Sequence, residues 1–206
     1  GHQERVYSEF YNCEWWHHAQ RQIPSDNKVL AIILYSDATA LDHLGKSSRH
    51  PIYISLGNIP TKFHNKPEAK ALVGIIPTLK GTKKERNTPE FRQKIRTTFH
   101  KCINILIEPL RLQYNSGVLL NVNDCNLRCN MMLASIIGDW PENCKSCLTY
   151  SGTKCARPCH TCLVEKNKLN VINLPVSQKI IRTEDQMQQV IALKQGKDYS
   201  LHEETN

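Results

Sequence analysis

Residues 28–36, "KVLAIILYS", are the stretch that predicts the fold class most directly. Aliphatic and β-branched residues lie between polar ends, a composition that is typical of a β-strand. A continuous apolar run of this length favours a central strand with both faces buried. Asp37 follows the run directly. We therefore expect a sheet that has this segment near its centre and a carboxylate at its end.

Two further strands are predicted downstream, at "HPIYISLGNIP" (50–60) and "KALVGIIPTL" (70–79). Pro51 is expected at the entry of the second strand, with Gly57 and Asn58 as a turn, and Pro77 should end the third strand. Because the three strands are close in sequence, an antiparallel meander is the simplest arrangement.

A long helix is expected after the strands. Thr88 and Pro89 have the chemistry of a helix cap and first turn, and Gly117 is a stop signal after about residue 115. Apolar residues recur at steps of three and four, as on one face of a helix: Phe91, Ile95, Phe99, Ile103, Leu106 and Leu110. Basic residues fall mostly off this stripe: Arg92, Lys94, Arg96 and Lys101. They form either an ordinary solvated face or a track for a phosphate backbone.

Two more apolar runs follow the helix, "GVLLNV" (117–122) and "NMMLASIIG" (130–138), and Asp139 comes directly after the second. The order of three strands, a long helix and a strand is similar to the opening of the ribonuclease H-like fold. The predicted class is α/β (α+β), with a mixed sheet.

Asp37 and Asp139 are the candidate catalytic residues. Neighbouring strands lie about 4.8 Å apart, so carboxylates at their ends can approach each other. Paired carboxylates suit Mg²⁺ or Mn²⁺, and two such ions support phosphodiester cleavage. In the structural alternative each aspartate caps a turn, with Asp139 placed before Pro141.

The cysteines between residues 143 and 165 point to a second metal. Cys159-x2-Cys162 has the spacing that lets two thiolates reach one zinc ion, and Cys155 precedes them. The fourth ligand is open among several candidates: Cys147, Cys144, His160 or a residue outside this chain. The alternatives are a redox pair or buried free thiols.

Bulk properties limit the function classes. The chain has 206 residues, enough for a real core, and its net charge of +8 favours a polyanionic partner. No stretch reaches the roughly 18 apolar residues that a membrane helix needs. The first residues are polar, and nine cysteines is an odd number. We therefore expect a reducing compartment and no secretory signal, which disfavours a secreted disulfide protein.

Aromatic residues are dense in the first part of the chain, "YSEFYNCEWWHHAQ" (7–20). We expect an arm that docks its aromatic face on the core. The alternative is that Trp15 and Trp16 stack on nucleic-acid bases.

Several stretches together resemble one known family, the transposases of Plavaka elements, which are relatives of the CACTA and KDZ transposons. Four motifs follow one another in the family's order over roughly residues 7–165: a strand ending in Ser-Asp-x-Thr, a "P-x-Y-x-S-L-G-N-I" strand, "DWPE" and a "C-x-x-C" knuckle. They are found in "LYSDATALDHLGKSSRHPIYISLGNIP" (34–60), "EAKALVGIIPTLKG" (68–81), "IIGDWPENCKSCLTY" (136–150) and "KCARPCHTCLVEKNKLN" (154–170).

The resemblance implies a ribonuclease H-like core of the DDE/D type, with its first two metal-binding acids at Asp37 and Asp139 and a zinc knuckle inserted after the second. It implies DNA as the partner and the nucleus as the location. The family's third acid lies further downstream, so we expect a C-terminally incomplete chain, a transposase-derived fragment with little or no strand-transfer activity alone.

The expected organisation has four parts: an aromatic arm (1–27), a partial ribonuclease H-like core (28–142), a cysteine-rich zinc knuckle (143–165) and a helical, polar tail (166–206). The rival hypothesis is a non-catalytic, zinc-stabilised domain that binds nucleic acid or another partner. It predicts DNA binding that is indifferent to substitution of the two aspartates.

Overall fold

The computed structural model describes residues 7–40, 48–152, 155–175 and 180–203. The strands are β1 (Lys28–Ser36), β2 (Thr39–Ala40), β3 (Ser48–Leu56), β4 (Lys70–Ile76), β5 (Val118–Val122) and β6 (Cys125–Ile137). The helices are α1 (Glu14–Arg21), α2 (Lys83–Arg86), α3 (Pro89–Gln113), α4 (Trp140–Ser146), α5 (Glu184–Ala192) and α6 (Gly196–Tyr199).

The six strands form one mixed sheet with β1 at its centre. The path runs β2-β3-β1-β6-β5, and β4 pairs with the other side of β3. β1 is antiparallel to β3 and parallel to β6, and most of its residues are buried. The predicted central strand, the antiparallel meander of β1, β3 and β4, and the mixed α/β class with a long helix are confirmed. The ribonuclease H-like assignment stays a prediction.

β1 and β2 share one pairing register along β3. β1 pairs as far as Ser36↔Ile52, and β2 resumes at Thr39↔Arg49. Between them Asp37 falls opposite Pro51, which has no N–H to donate to a ladder. β3 begins at Ser48, so Pro51 lies inside the strand and not at its entry as predicted. The interruption leaves Asp37 in a short gap between two strand segments.

The side chain of Asn58 extends the same ladder beyond the first β1–β3 pair, Ile32↔Leu56. Its Nδ2 donates to the Val29 carbonyl at 2.9 Å, and its Oδ1 accepts from the Ala31 N–H at 3.0 Å. The amide therefore replaces a peptide group of a neighbouring strand, which gives the predicted Gly57–Asn58 turn a structural role.

β5 and β6 form an antiparallel hairpin through Asn123 and Asp124, both with positive φ (50° and 62°). Asn and Asp tolerate this conformation in two-residue turns. Strand β6 begins at Cys125, five residues before the apolar run that predicted it. The hairpin pairs residues 125–129, most of them not aliphatic, with β5 and so makes them part of the strand. A register shift opposite Ile32 and Ile33 leaves Ala134 as an extra residue in β6.

Helix α3 begins at Pro89 as predicted and ends at Gln113, where the Gly117 N–H donates to the Gln113 carbonyl and Gly117 adopts a φ of +64°. Of the apolar stripe, Phe99 is buried, whereas Ile95 is 41% exposed. Leu106 lies over Gly74 of β4, where an added Cβ would meet it at 3.5 Å.

The N-terminal arm docks on the start of β1. Ala19 and Ile23 are buried against Val29 and Ala31, and Trp15 and Trp16 pack against this cluster with Phe10. The docking prediction for the aromatic face is confirmed.

The chain divides into two compact units, one of residues 1–78 and 101–137 and the other of residues 79–100 and 138–206. The first unit contains the sheet and the arm. The second contains the cysteine-rich segment with α4, α5 and α6. The predicted domain boundaries stay predictions, and parts of the predicted arm and tail (1–6, 176–179 and 204–206) lie outside the described residues. Among the described helices, none is both long and apolar enough to cross a membrane.

Candidate functional site

Asp37 is the first residue after β1 and is half-buried. The Tyr35 hydroxyl donates a hydrogen bond of 3.3 Å to its Oδ2. The preceding Ser36 is 1% exposed, and its Oγ shares a hydrogen bond of 2.9 Å with Nε2 of His50 on β3. The backbone before Asp37 is therefore fixed by both strand pairing and a side-chain bond.

Asp139 is the second residue after β6 and the N-cap of α4. Its Oδ1 accepts from the Glu142 N–H at 2.8 Å, and Pro141 lies in the first turn. The capping alternative is therefore confirmed for Asp139. The cap uses Oδ1, and Oδ2 takes no part in this bond.

The strands that precede the two aspartates are parallel neighbours. Their last register pair is Tyr35↔Ile137, so each aspartate is the second residue after a member of that pair. Asp37 belongs to the unit that contains the sheet, and Asp139 belongs to the other unit.

Cys159 and Cys162 form the best-defined part of the cysteine cluster. Burial raises the pKa of Cys159, but hydrogen bonds from Thr161 and then Cys162 outweigh it, so the net pKa is lowered. Sγ of Cys159 and Oγ1 of Thr161 lie 3.1 Å apart. Burial raises the pKa of Cys162, and its bond to Cys159 raises it further. The pair thus favours one thiolate that is stabilised by the neighbouring thiol.

The other cysteines of this segment are more separate. Cys144 is fully buried, and burial raises the pKa of its thiol; a hydrogen bond with Thr149 opposes this shift, and Cys155 and Cys159 add to it. Cys155 donates its S–H to the Gly152 carbonyl at 2.7 Å. Burial raises the pKa of Cys147, at the C-cap of α4, and the neighbouring Cys144 raises it further. Within residues 7–40, 48–152, 155–175 and 180–203, no group of three or more His, Cys, Asp or Glu is arranged to hold a metal ion.

Two polar groups in the cluster bear on metal binding. Nδ1 of His160 is shielded from solvent and has no hydrogen-bond partner in the described part of the chain. Arg182 donates from Nε to the Cys159 carbonyl at 3.0 Å and from Nη2 to the Arg157 carbonyl at 3.1 Å. Desolvation lowers the pKa of Arg182, and the Cys159 and Cys162 sulfurs oppose this shift. A cation is therefore already positioned against these thiols.

Sequence reasoning missed Arg182 and a pair of tyrosines beside Asp37. No spacing rule connects Arg182 to a cysteine pair twenty residues earlier. For the tyrosines a signal existed, because Tyr35 lies two residues before Asp37 on the same strand and Tyr53 occupies the matching place in the "P-x-Y-x-S" strand. The register pairs them directly.

The family model described as "Plavaka transposase" matches residues 1–205. No match was found in a search of curated proteins or in a search of solved structures.

Proposed function

Because the chain belongs to the Plavaka transposase family, we propose that it is a transposase-derived chain that binds and processes DNA in the nucleus. In this proposal Asp37 and Asp139 are the first two acids of a divalent-metal centre of the DDE/D type. The core that carries them is ribonuclease H-like.

The parallel pairing of β1 and β6 is the observation that supports the assignment best. Each strand leads within two residues to one of the aspartates, and the shared register ends at Tyr35↔Ile137. Strands β2 to β5 and helices α2 and α3 separate β1 from β6 in sequence, so the pairing is a long-range feature of the fold. If β6 did not pair with β1, the strands that lead to the two aspartates would not be neighbours.

The donor chemistry of the two residues fits Mg²⁺ or Mn²⁺, which prefer hard carboxylate oxygens. The ion would stabilise negative charge on a phosphodiester during cleavage. The Tyr35 hydroxyl orients Oδ2 of Asp37, and the helix cap fixes the carboxylate of Asp139. Two carboxylates alone hold a metal pair poorly, so we expect DNA binding with weak cleavage by this stretch alone.

Charge supports DNA as the partner. The chain carries 27 Lys and Arg against 19 Asp and Glu. On α3, Arg92, Lys94 and Lys101 are exposed, so their charges are accessible to a phosphate backbone. We expect the affinity for DNA to fall steeply with salt, because phosphate contacts release counterions.

The experiment compares the chain with its Asp37→Asn and Asp139→Asn variants in Mn²⁺ titration calorimetry and in nicking of supercoiled plasmid. Asparagine caps helices as well as aspartate does, so Asp139→Asn keeps the cap of α4 and its folding. Both variants should lose Mn²⁺ binding and any Mn²⁺-dependent nicking. Asp26→Asn, an exposed acid in the turn before β1, is the matched control and should behave like the parent chain.

Nicking that survives both substitutions would defeat the assignment of these acids. Equal DNA binding by all four proteins, with no Mn²⁺ binding by any, would favour the non-catalytic nucleic-acid-binding domain.

We also propose a structural zinc ion bound by Cys155, Cys159, Cys162 and Cys147. Thiolates are the ligands that zinc prefers in structural sites. The lowered pKa of Cys159, where burial is outweighed by hydrogen bonds from Thr161 and Cys162, supports this chemistry. The unpartnered Nδ1 keeps His160 as an alternative fourth ligand. Bound zinc would cross-link the segment.

Zinc content and melting temperature test this second proposal. Cys159→Ser and Cys162→Ser should each lose zinc and lower stability by several kcal/mol, since binding energy at structural sites is folding energy. Cys125→Ser, at an exposed thiol on β6, is the control. A purified protein without zinc, whose melting temperature does not change with a chelator, would contradict it.

A further inference from the structure

A groove lies on the sheet beside Asp37, and we call it the tyrosine groove. Its lining includes Ile33, Tyr35, Tyr53, Ser55, Lys70 and Ile137, and its volume is about 440 Å³. This volume is within the roughly 300–1,000 Å³ range of ligand pockets. We propose that the tyrosine groove binds an unpaired DNA base next to the phosphate at which Asp37 acts. The inference rests on the proposed function and names the part of the substrate that is recognised.

The two tyrosines provide the stacking surface. Tyr35 of β1 and Tyr53 of β3 are register partners, with ring centroids 6.4 Å apart and planes inclined at 41°. Tyr35 is 43% exposed, so its ring is accessible. Exposed aromatic rings on a sheet are the usual platform for single-stranded nucleic acid, because every base has a flat face. In a duplex that face is covered by stacked neighbours, so the groove selects an unpaired base.

The floor of the groove combines apolar side chains with one unsatisfied hydroxyl. Ile33 and Ile137 provide the apolar surface. Ser55 Oγ is shielded from solvent and has no hydrogen-bond partner among the described residues. An unsatisfied buried hydroxyl is unfavourable, and the polar edge of a base would give it a partner.

Charge on one rim fits a phosphate. Lys70 and His64 line the groove, and Lys62 and Lys66 belong to the same segment, in which Glu68 is the acidic residue. His64 donates from Nε2 to the Ile59 carbonyl at 2.5 Å, which fixes its ring. The carboxylate of Glu9 is near this segment but accepts two hydrogen bonds of 2.8 Å from Thr61. Lys62, Lys66 and Lys70 outnumber Glu68 and Glu9 by one, so a phosphate beside this rim would lie next to a small excess of positive charge.

The groove is linked directly to the proposed catalytic acid. Tyr35 forms one wall, and its hydroxyl donates to Asp37 Oδ2 at 3.3 Å. A nucleotide stacked on this ring would hold its neighbouring phosphate close to that carboxylate. Base binding would then position the strand for cleavage.

The experiment measures binding of two DNAs, a duplex and the same duplex with a short single-stranded gap that carries one 2-aminopurine. The parent chain should prefer the gapped DNA and quench its fluorescence. Tyr53→Leu keeps apolar volume but removes the flat ring, so it should lower affinity for gapped DNA about tenfold. It should abolish the quenching and leave duplex affinity unchanged. Tyr53→Phe should restore both properties of the gapped complex.

Lys70→Ala provides an independent arm, because an exposed lysine can be replaced without loss of folding. It should weaken binding of gapped DNA more than binding of duplex, whereas Lys101→Ala, at an exposed position on α3 outside the groove, should affect both DNAs alike. A folded Tyr53→Leu protein with parental affinity and quenching would overturn the inference, as would equal effects of Lys70→Ala on both DNAs. Duplex binding without preference for the gapped DNA would contradict base binding in the groove, but it would not contradict the proposed function. Failure to bind either DNA would overturn both.

Discussion

One face of β1 is covered at the start of the strand and open to a groove at its end. At the start of the strand, Val29 and Ala31 are 1% and 0% exposed beneath α1. Two residues further along the same face, Ile33 and Tyr35 line an open groove. The aromatic arm packs over the start of the strand, where Val29 and Ala31 lie, and this accounts for their burial. The covered end provides stability, and the uncovered end leaves room for a ligand beside Asp37.

The largest effect should come from Trp16→Ala at the covered end. Trp16 packs against Phe10, Tyr11 and Trp15 with ring centroids 6.2–6.4 Å apart. Its truncation would leave a cavity and should reduce the free energy of unfolding by about 3 kcal/mol. Urea unfolding monitored by circular dichroism measures this. Tyr53→Leu at the open end is the counterpart and should lower stability by about 1 kcal/mol or less. Equal losses of stability in the two variants would show that the covered and open ends of β1 contribute equally to stability.

A smaller effect is expected for Asn58→Ala, which removes the side chain that extends the ladder at the start of β1. Two hydrogen bonds are lost, and the N–H of Ala31 and the carbonyl of Val29 lose their partner. At about 1 kcal/mol per bond, stability should fall by about 2 kcal/mol. The control is Asn121→Ala, which removes one exposed side-chain bond of the β5–β6 hairpin and should change stability by less than about 0.5 kcal/mol. Matching losses in the same urea experiment would show that the Asn58 amide is no more than a surface contact.

The smallest effect should be confined to acid solution and concerns Glu9, which connects the arm to the segment that borders the groove. Hydrogen bonds from the Thr61 backbone and hydroxyl lower the pKa of Glu9 below 4.5. A lowered carboxyl pKa contributes stability that is present above the unfolded pKa and is lost as pH falls through the folded pKa. Glu9→Gln should therefore flatten the decrease of melting temperature below about pH 4.5. Glu90→Gln, on the first turn of α3, is the control. An unchanged acid limb in the Glu9 variant would mean that the link to Thr61 does not stabilise the fold.

The elements that were predictable from sequence are those set by local pattern. The apolar run 28–36, Pro77 after β4 and the Thr88–Pro89 cap each act within a few residues, and the structure reproduces their boundaries. The start of β6 was missed because Cys125 and its polar neighbours are strand residues only through pairing with β5. The exposure of Ile95 was not predictable, because helical periodicity shows which face of a helix is apolar but not how much of that face other elements cover.

The residues of the candidate site likewise divide into those that a local sequence pattern indicates and those that only the tertiary fold brings together. Asp37 and Asp139 became candidates because each directly follows an apolar run, and Cys159 and Cys162 because their spacing is local. Arg182 reaches the thiols only through tertiary contacts. The groove depends on the register between β1 and β3, which no single stretch of sequence encodes.

Strand β4 has a consequence for handling the protein. Within the described residues it pairs with β3 alone, so the hydrogen-bonding groups on its other side form a sheet edge. Leu72, Val73 and Ile75 on this strand are 54%, 41% and 53% exposed. An apolar edge of this kind is a template for a strand from another molecule. Concentrated solutions should therefore self-associate through β4, and a lysine in place of Val73 should keep them dispersed.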